Sequence, residues 1–189
     1  NEALQLVNDL SQRLLRRLDV KAIAAETLDV LVGHSQAPHV AFYVLDAEAG
    51  LLRLVAGRGF TEDELALGAV LPLDGSASGT AVREGRIVSL GEVLRKGTAV
   101  HAVASTMSGR GLKSGLCIPL AHDGAPLGTV NLIFQDGRDV TPVETDTFQG
   151  IARAVSLAFG CASSQATRSS ASDESVRRVN GAVSSPYSG

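Results

Sequence analysis

The chain has 189 residues, 44% of them hydrophobic and 20% charged, and a formal net charge of −3. This length and apolar content suffice for one well-packed core, so we expect a single domain with short appendages. The small negative charge provides no electrostatic footprint for nucleic acid or an anionic membrane, which leaves small molecules and other proteins as the expected partners.

Cysteine usage and hydropathy bear on the compartment. Cys117 and Cys161 are the two cysteines, too few for a disulfide framework and not spaced as a zinc site. No apolar run reaches the length of a transmembrane helix, and the first residues lack the pattern of a signal peptide. These features predict a reducing compartment, and we expect a cytoplasmic location.

Two helices are predicted at the start of the chain. Residues 1–18 show an amphipathic pattern whose apolar stripe contains Leu4, Val7, Leu14 and Leu18. The stripe spans little more than two heptads, so it fits either a signalling and dimerisation helix or packing against the protein's own domain. Asp19 is placed to cap a second helix over residues 20–32, with Gly33 just past its end.

A β-hairpin and a long irregular segment are expected next. Residues 39–45 and 51–56 are rich in β-branched, aromatic and alternating apolar residues, which predicts two paired strands. Residues 57–112 keep no single period, although short helices are expected at 78–83, 92–96 and 101–107. A segment of this length without dominant regular structure indicates a binding site in a compact domain.

The clearest strand pair and the clearest helix start lie in the last third of the chain. Residues 113–134 form two apolar segments around Asp123-Gly124, a dipeptide suited to a tight turn, and predict a second hairpin. Thr141, Pro142 and Glu144 combine a capping threonine, an N1 proline and a capping-box glutamate. The helix that they begin is predicted to end near residue 161, and residues 163–189 are expected to be a Ser-rich disordered tail or linker.

The order of these elements predicts an α+β fold. Strands joined by tight hairpins imply a central antiparallel sheet, and helices from both ends of the chain share one of its faces. The irregular segment is then expected to cover the other face as a variable loop and helix region that forms a pocket.

Six short segments resemble those of GAF domains, which share a GAF/PAS-like fold. They are Leu-Asp at 18–19, Val-Leu-Asp at 44–46, Ala-Gly-Arg-Gly-Phe at 56–60, Gly-Thr-Ala-Val-Arg-Glu-Gly-Arg-Ile-Val at 79–88, Leu-Lys-Ser-Gly-Leu-Cys-Ile-Pro-Leu at 112–120 and Gly-Thr-Val-Asn-Leu at 128–132. Each motif is weak alone, but their order and spacing are specific, and they place a GAF domain over residues 19–162.

The resemblance implies a regulatory module that binds a small molecule, forms a homodimer through its terminal helices and drives a fused or separate output domain. Many such modules belong to bacterial two-component sensors. The family defines a fold and a pocket rather than a ligand.

Three ligand classes known from the family can be compared with the residues present. Cyclic-nucleotide-binding GAF domains of the phosphodiesterase type carry an Asn-Lys pair, whereas Asn131 is followed by Leu132. Bilin attachment needs a cysteine, usually just before a histidine, whereas Val100 precedes His101. Haem with His101 as its axial ligand stays open as a lesser alternative, so the sequence identifies no cofactor.

The resemblance also raises one enzymatic alternative, the free methionine-(R)-sulfoxide reductase. That chemistry requires a nucleophilic thiolate and a resolving thiol in the pocket region, and residues 57–112 contain no cysteine. Cys117 lies between Leu116 and Ile118, where a thiol usually serves as a small apolar filler. Without a Ser-His-Asp set, paired carboxylates or a metal-ligand cluster, we expect a protein that is not an enzyme.

The candidate ligand-binding residues come from the variable region and the strands that face it. We expect Phe60 to stack on a ligand, hydroxyl groups to donate hydrogen bonds, and His101 and Arg110 to contact polar or anionic groups. The full set is Phe60, Ser89, His101, Thr106, Arg110, Ser114, Cys117 and Asn131. Our leading hypothesis is a non-catalytic GAF sensor, and the main alternative is a GAF dimerisation scaffold without a ligand.

Overall fold

The computed structural model describes residues 2–14, 19–95, 114–137 and 140–182, without the side chains of residues 94 and 166–182. The predicted helix at 101–107 lies outside these ranges. The described helices are α1 (Glu2–Leu14), α2 (Val20–Ser35), α3 (Glu62–Leu67), α4 (Ala77–Glu84), α5 (Leu90–Arg95) and α6 (Pro142–Ala182). The strands are β1 (His39–Asp46), β2 (Leu51–Arg58), β3 (Val70–Pro72), β4 (Val88–Ser89), β5 (Ser114–His122) and β6 (Ala125–Phe134).

The six strands form one antiparallel sheet in the order β3-β2-β1-β6-β5-β4. The turn between β5 and β6 has positive φ at both central residues, 49° at Asp123 and 77° at Gly124, as a type I′ turn requires. The two predicted hairpins, β1–β2 and β5–β6, therefore meet side by side in the middle of the sheet, through β1 and β6.

One face of the sheet carries the main core, and we call it the helix face. Side chains of β1, β5 and β6 on this face pack against α1, α2 and α6. The buried members include Leu10, Leu14, Ile23, Leu28, Leu31, Val40, Phe42, Ile118, Leu120, Val130, Leu132, Phe148, Ile151, Val155 and Phe159. The predicted α+β fold, with helices from both chain ends on one face of an antiparallel sheet, is confirmed.

The N-terminal helices differ slightly from the sequence prediction. In α1, Leu10 and Leu14 are buried while Leu4 is exposed, so the inward stripe begins later than expected. Asp19 caps α2 as predicted, since its carboxylate accepts from the amides of Lys21 and Ala22. The helix continues past Gly33 to Ser35, because glycine alone does not end a helix that is held by packing on both sides.

Helix α6 begins as predicted and ends later. Thr141 and Glu144 form the reciprocal capping-box bonds, at 2.9 Å and 3.2 Å. The helix then runs 41 residues to Ala182, well past the expected end near residue 161, so the described backbone is helical where we expected a Ser-rich disordered tail or linker to begin. The stretch from 161 to 180 contains neither glycine nor proline, so nothing in it interrupts the backbone hydrogen bonds.

The irregular segment contains elements that sequence analysis missed. Thr61 and Glu64 form a complete capping box at the start of α3, in a part of the segment where no helix was predicted. Strands β3 and β4 are only three and two residues long, too short for a period to be recognised. Among the described helices, none combines the length and apolar character needed to cross a bilayer.

Candidate functional site

The second face of the sheet, which we call the distal face, carries a small set of polar groups. Strand register places Ala41, Cys117 and Asn131 side by side across three strands, because Asn131 pairs with each of the other two. Helix α4 packs over this face, where Ala77 and Ala81 form a cluster with Cys117. The distal face is thus separated from the main core by the whole thickness of the sheet.

Ser78 connects α4 to the sheet. Its hydroxyl oxygen accepts a hydrogen bond of 2.8 Å from the Asn131 side-chain amide and lies 3.6 Å from Cys117 Sγ. All three side chains are buried, and we call them the Ser78 cluster. Helix α4 also passes close to the loop after β3, because Gly79 has no side chain: a Cβ there would collide with the Leu73 carbonyl oxygen.

Two buried polar atoms beside this cluster have no hydrogen-bond partner among the described residues. They are Asn131 Oδ1 and Thr129 Oγ1, and Thr129 is fully buried. Thr129 precedes Asn131 by two residues on β6, so both side chains point to the distal face. An unsatisfied buried polar atom costs about 1–3 kcal/mol, so each of these atoms calls for a partner, such as an ordered water or a ligand.

Tyr43 lies on the same face, but its hydroxyl already makes a structural hydrogen bond to the backbone. Its hydroxyl donates a 2.9 Å hydrogen bond to the Gly68 carbonyl oxygen, which joins β1 to the end of α3. Burial, with a smaller contribution from Cys117, raises the pKa of Tyr43 well above its usual value. Tyr43 therefore acts as a neutral structural hydroxyl at neutral pH.

The Cys117 thiol is poorly suited to nucleophilic chemistry. Burial raises its pKa from about 9 to about 11, although the contact with Ser78 partly opposes this shift. A protonated, buried thiol is neither a good nucleophile nor a good metal ligand. Cys161 is exposed on α6, and this helix packs on the helix face, so the sheet lies between the two thiols.

We expect the two cysteines to differ strongly in reactivity. In a Cys161→Ser variant, the remaining Cys117 thiol should not react with a colorimetric thiol reagent at pH 8 until denaturant unfolds the protein. In a Cys117→Ser variant, Cys161 should react at once in the native state, and this serves as the matched control. Rapid native labelling of Cys117 would contradict the assignment of Cys117 as a buried filler.

Three of the predicted site residues make local structural contacts. The Phe60 ring packs on His39, with ring centroids 5.1 Å apart. The Ser89 hydroxyl oxygen accepts from the Glu92 amide at 3.1 Å and thereby caps α5. The Ser114 hydroxyl donates to the Asp136 carbonyl oxygen at 2.7 Å, which closes the loop after β6.

Of the five predicted site residues that the structure describes, Cys117 and Asn131 are the two that it brings together. His101, Thr106 and Arg110 lie outside the described residues, so their role stays a prediction. The structure adds Ser78 and Thr129 to the candidate site, since sequence analysis did not include them. Thr129 could have been found from its spacing to Asn131, whereas no sequence signal placed Ser78 beside them. Within the described part of the chain, no group of His, Cys, Asp or Glu residues could hold a metal ion.

The antiparallel sheet carries the terminal helices on one face and a polar cluster under α4 on the other, which is the architecture of the GAF/PAS-like fold. The family model for the GAF domain matches residues 17–159. This match covers well over half of the chain, and the chain therefore belongs to the GAF domain family. No curated protein shows a significant sequence match to it.

Solved structures support the same fold. The GAF domain of a phosphoenolpyruvate-protein phosphotransferase from Coxiella burnetii superimposes with a TM-score of 0.74 at 14% identity, covering 87% of this chain and 96% of that one. The free methionine-R-sulfoxide reductase from Neisseria meningitidis, solved with its substrate, superimposes with a TM-score of 0.71 at 20% identity. The match covers 88% of this chain and 94% of that one. Residues 122 to 287 of a methyl-accepting chemotaxis protein superimpose with a TM-score of 0.67 at 19% identity. The match covers 81% of this chain and 96% of that one.

Proposed function

We propose that this protein is a non-catalytic GAF sensor that binds a small molecule over the distal face and relays its presence through the terminal helices. The observation that carries the proposal is the pair of unsatisfied buried atoms, Asn131 Oδ1 and Thr129 Oγ1, beside the Ser78 cluster. A ligand that hydrogen-bonds to these atoms would recover the free energy that their burial costs.

The proposed relay runs through α1 and α6. These helices pack closely, since a Cβ built at Gly150 of α6 would lie 3.1 Å from a methyl group of Val7. With 41 residues, α6 extends about 60 Å, far enough to leave the domain. Leu4 and Leu157 are exposed on these helices, which supports a homodimer through the terminal helices.

The expected context is a bacterial signalling protein, such as a two-component sensor, with a fused or separate output domain. Structural neighbours in a chemotaxis protein and in a GAF domain/HD domain protein from Geobacter sulfurreducens support this context. The free thiols at Cys117 and Cys161 suit the cytoplasmic location that forms part of the proposal. We place neither nucleic acid nor membrane among the partners.

A non-catalytic role agrees with the environment of Cys117, although some structural neighbours are reductases. A reductase needs an accessible thiolate, whereas Cys117 is buried and its pKa is raised to about 11. The scaffold alternative shares the fold and differs only in lacking a ligand.

The proposal predicts a ligand-dependent rise in melting temperature. The natively purified chain is first analysed by native mass spectrometry and by its absorbance spectrum, and compounds found or drawn from a metabolite panel are then tested by thermal shift. A compound at a hundredfold its Kd should raise the Tm by roughly 5–10 °C. Asn131→Ala should lose most of that shift, while Thr147→Ala, which removes only a hydrogen bond to the Val143 carbonyl oxygen within α6, should retain it.

Each alternative predicts a different result. A dimerisation scaffold without a ligand would retain no compound in native mass spectrometry, and no compound of the panel would raise its Tm. A strong Soret band would establish haem. Thiol-dependent reduction of free methionine sulfoxide that is lost in Cys117→Ser would establish a reductase and contradict the non-catalytic proposal.

A further inference from the structure

A groove of about 330 Å³ opens on the β5 side of the sheet, between β5, the turn before β4 and helix α6. Its lining includes Ile87, Ile118, Leu120, Gln149, Arg153 and Ser156. The volume lies at the lower end of the range for small-molecule sites, about 300–1,000 Å³. No member of the Ser78 cluster lines the groove, so it is separate from that cluster.

Helix α6 contributes a row of hydrogen-bond donors to this groove. Gln149, Arg153 and Ser156 are spaced four and three residues apart, which places them on one side of the helix. Gln149 and Arg153 are exposed, whereas Ser156 is buried. The Ser156 hydroxyl oxygen accepts from the Ala121 amide at 3.1 Å, and among the described residues its own hydrogen has no acceptor.

The charge balance of the groove depends on Arg153. The other arginine in the lining, Arg86, is held by Glu84 at 2.5 Å and by Glu92 at 2.7 Å, so its charge is already compensated. Arg153 makes no ion pair within the described part of the chain. Among the described residues, Arg153 is therefore the uncompensated cation that faces this groove.

The exposed edge of β5 at this groove is closed to strand addition. Strand β4 pairs only with Leu116 and Cys117, which leaves the rest of β5 as a sheet edge. Pro119 has no amide hydrogen, and the Ala121 amide is already bonded to Ser156. An extended peptide could not form a regular ladder here, and this favours a small molecule as the occupant.

We propose that this groove is a second binding site, specific for a small monoanion that joins a carboxylate to an apolar body. The planar Arg153 guanidinium matches a carboxylate in a two-point hydrogen bond, and Gln149 and Ser156 supply further donors. Ile87, Pro119 and Pro126, the more accessible apolar residues of the lining, contact the apolar body. Since the groove is open and Arg153 is its one uncompensated cation in the part of the chain that the structure describes, the Kd is expected on the order of 1 mM.

The test uses phenylacetate as the probe and neutral phenylacetamide as its matched comparison, each titrated into the ¹⁵N-labelled full chain and followed by NMR. Phenylacetate should shift the Ala121 and Ser156 amide signals saturably. Phenylacetamide should bind about tenfold more weakly, since it forms no charge-assisted bond. Arg153→Gln should remove the preference for phenylacetate over phenylacetamide. Gln149→Glu should weaken phenylacetate binding, because the new carboxylate repels that of the probe.

Arg53→Gln is the control, because Arg53 is an exposed arginine on β2 paired with Asp46, and it should retain the preference. Equal affinity for the acid and the amide would overturn the proposal. So would unchanged phenylacetate binding in Arg153→Gln, or signal changes confined to Thr129 and Asn131.

Discussion

The Gly128→Ala variant is expected to lose about 3 kcal/mol or more of its free energy of unfolding. Gly128 lies in β6 opposite Val44 on one side and Leu120 on the other. A Cβ there would collide with the Tyr43 carbonyl oxygen and lie 3.1 Å from the Val44 Cα. These are backbone atoms of a central strand, so they cannot move aside without disturbing the ladder.

Urea denaturation measures this effect, with Gly33→Ala as the matched control. Gly33 lies inside α2, where a Cβ would have no neighbour within 4 Å. The control should gain up to about 1 kcal/mol, because alanine is the better helix former. A Gly128→Ala protein as stable as the original would show that the close approach of β1 and β6 is not required.

The Phe159→Ala variant is expected to lose about 3–5 kcal/mol, because it leaves a cavity between α6 and the sheet. Phe159 is buried, and its ring centroid lies 6.1 Å from that of Phe42, which is fully buried in β1. The pair connects the helix proposed to carry the signal with the centre of the sheet. We therefore expect the variant to weaken the response to a ligand even where it remains folded.

Urea denaturation and amide hydrogen exchange together check this result. Val143→Ala is the control on the same helix, since Val143 is 72% exposed, and it should change stability by no more than about 0.5 kcal/mol. Amides of α6 should lose protection in Phe159→Ala before those of the central strands. Equal losses in both variants would contradict the assignment of Phe159 as the main link between α6 and the sheet.

Sequence patterns predicted the elements whose hydrogen bonds are local. The β5–β6 hairpin follows from Asp123-Gly124, which accepts positive φ at both turn positions, and the start of α6 follows from the Thr141–Glu144 capping box. Thr61 and Glu64 have the same capping-box spacing at the start of α3, but sequence analysis did not recognise it. The end of α6 could not be predicted, because a Ser-rich and Ala-rich sequence fits both a helix and a tail.

The candidate site was predicted less completely. Two hydroxyl residues expected to bind a ligand, Ser89 and Ser114, are used in the structure to cap α5 and close a loop. A hydroxyl has the same chemistry in either use, so only its neighbours decide between them. Arg153 gave no signal at all, since a solvent-facing arginine on an amphipathic helix is ordinary.

The sequence by itself determined the α+β fold and the GAF resemblance, because strand alternation, turn dipeptides and caps act over a few residues. Tertiary structure decided which side chains share the distal face. In the hairpin predicted over residues 113–134, a shift of the strand register by one residue would move every side chain to the opposite face of the sheet. Only the pairing of Asn131 with Ala41 and Cys117, and the packing of Ser78 from α4, placed these groups together.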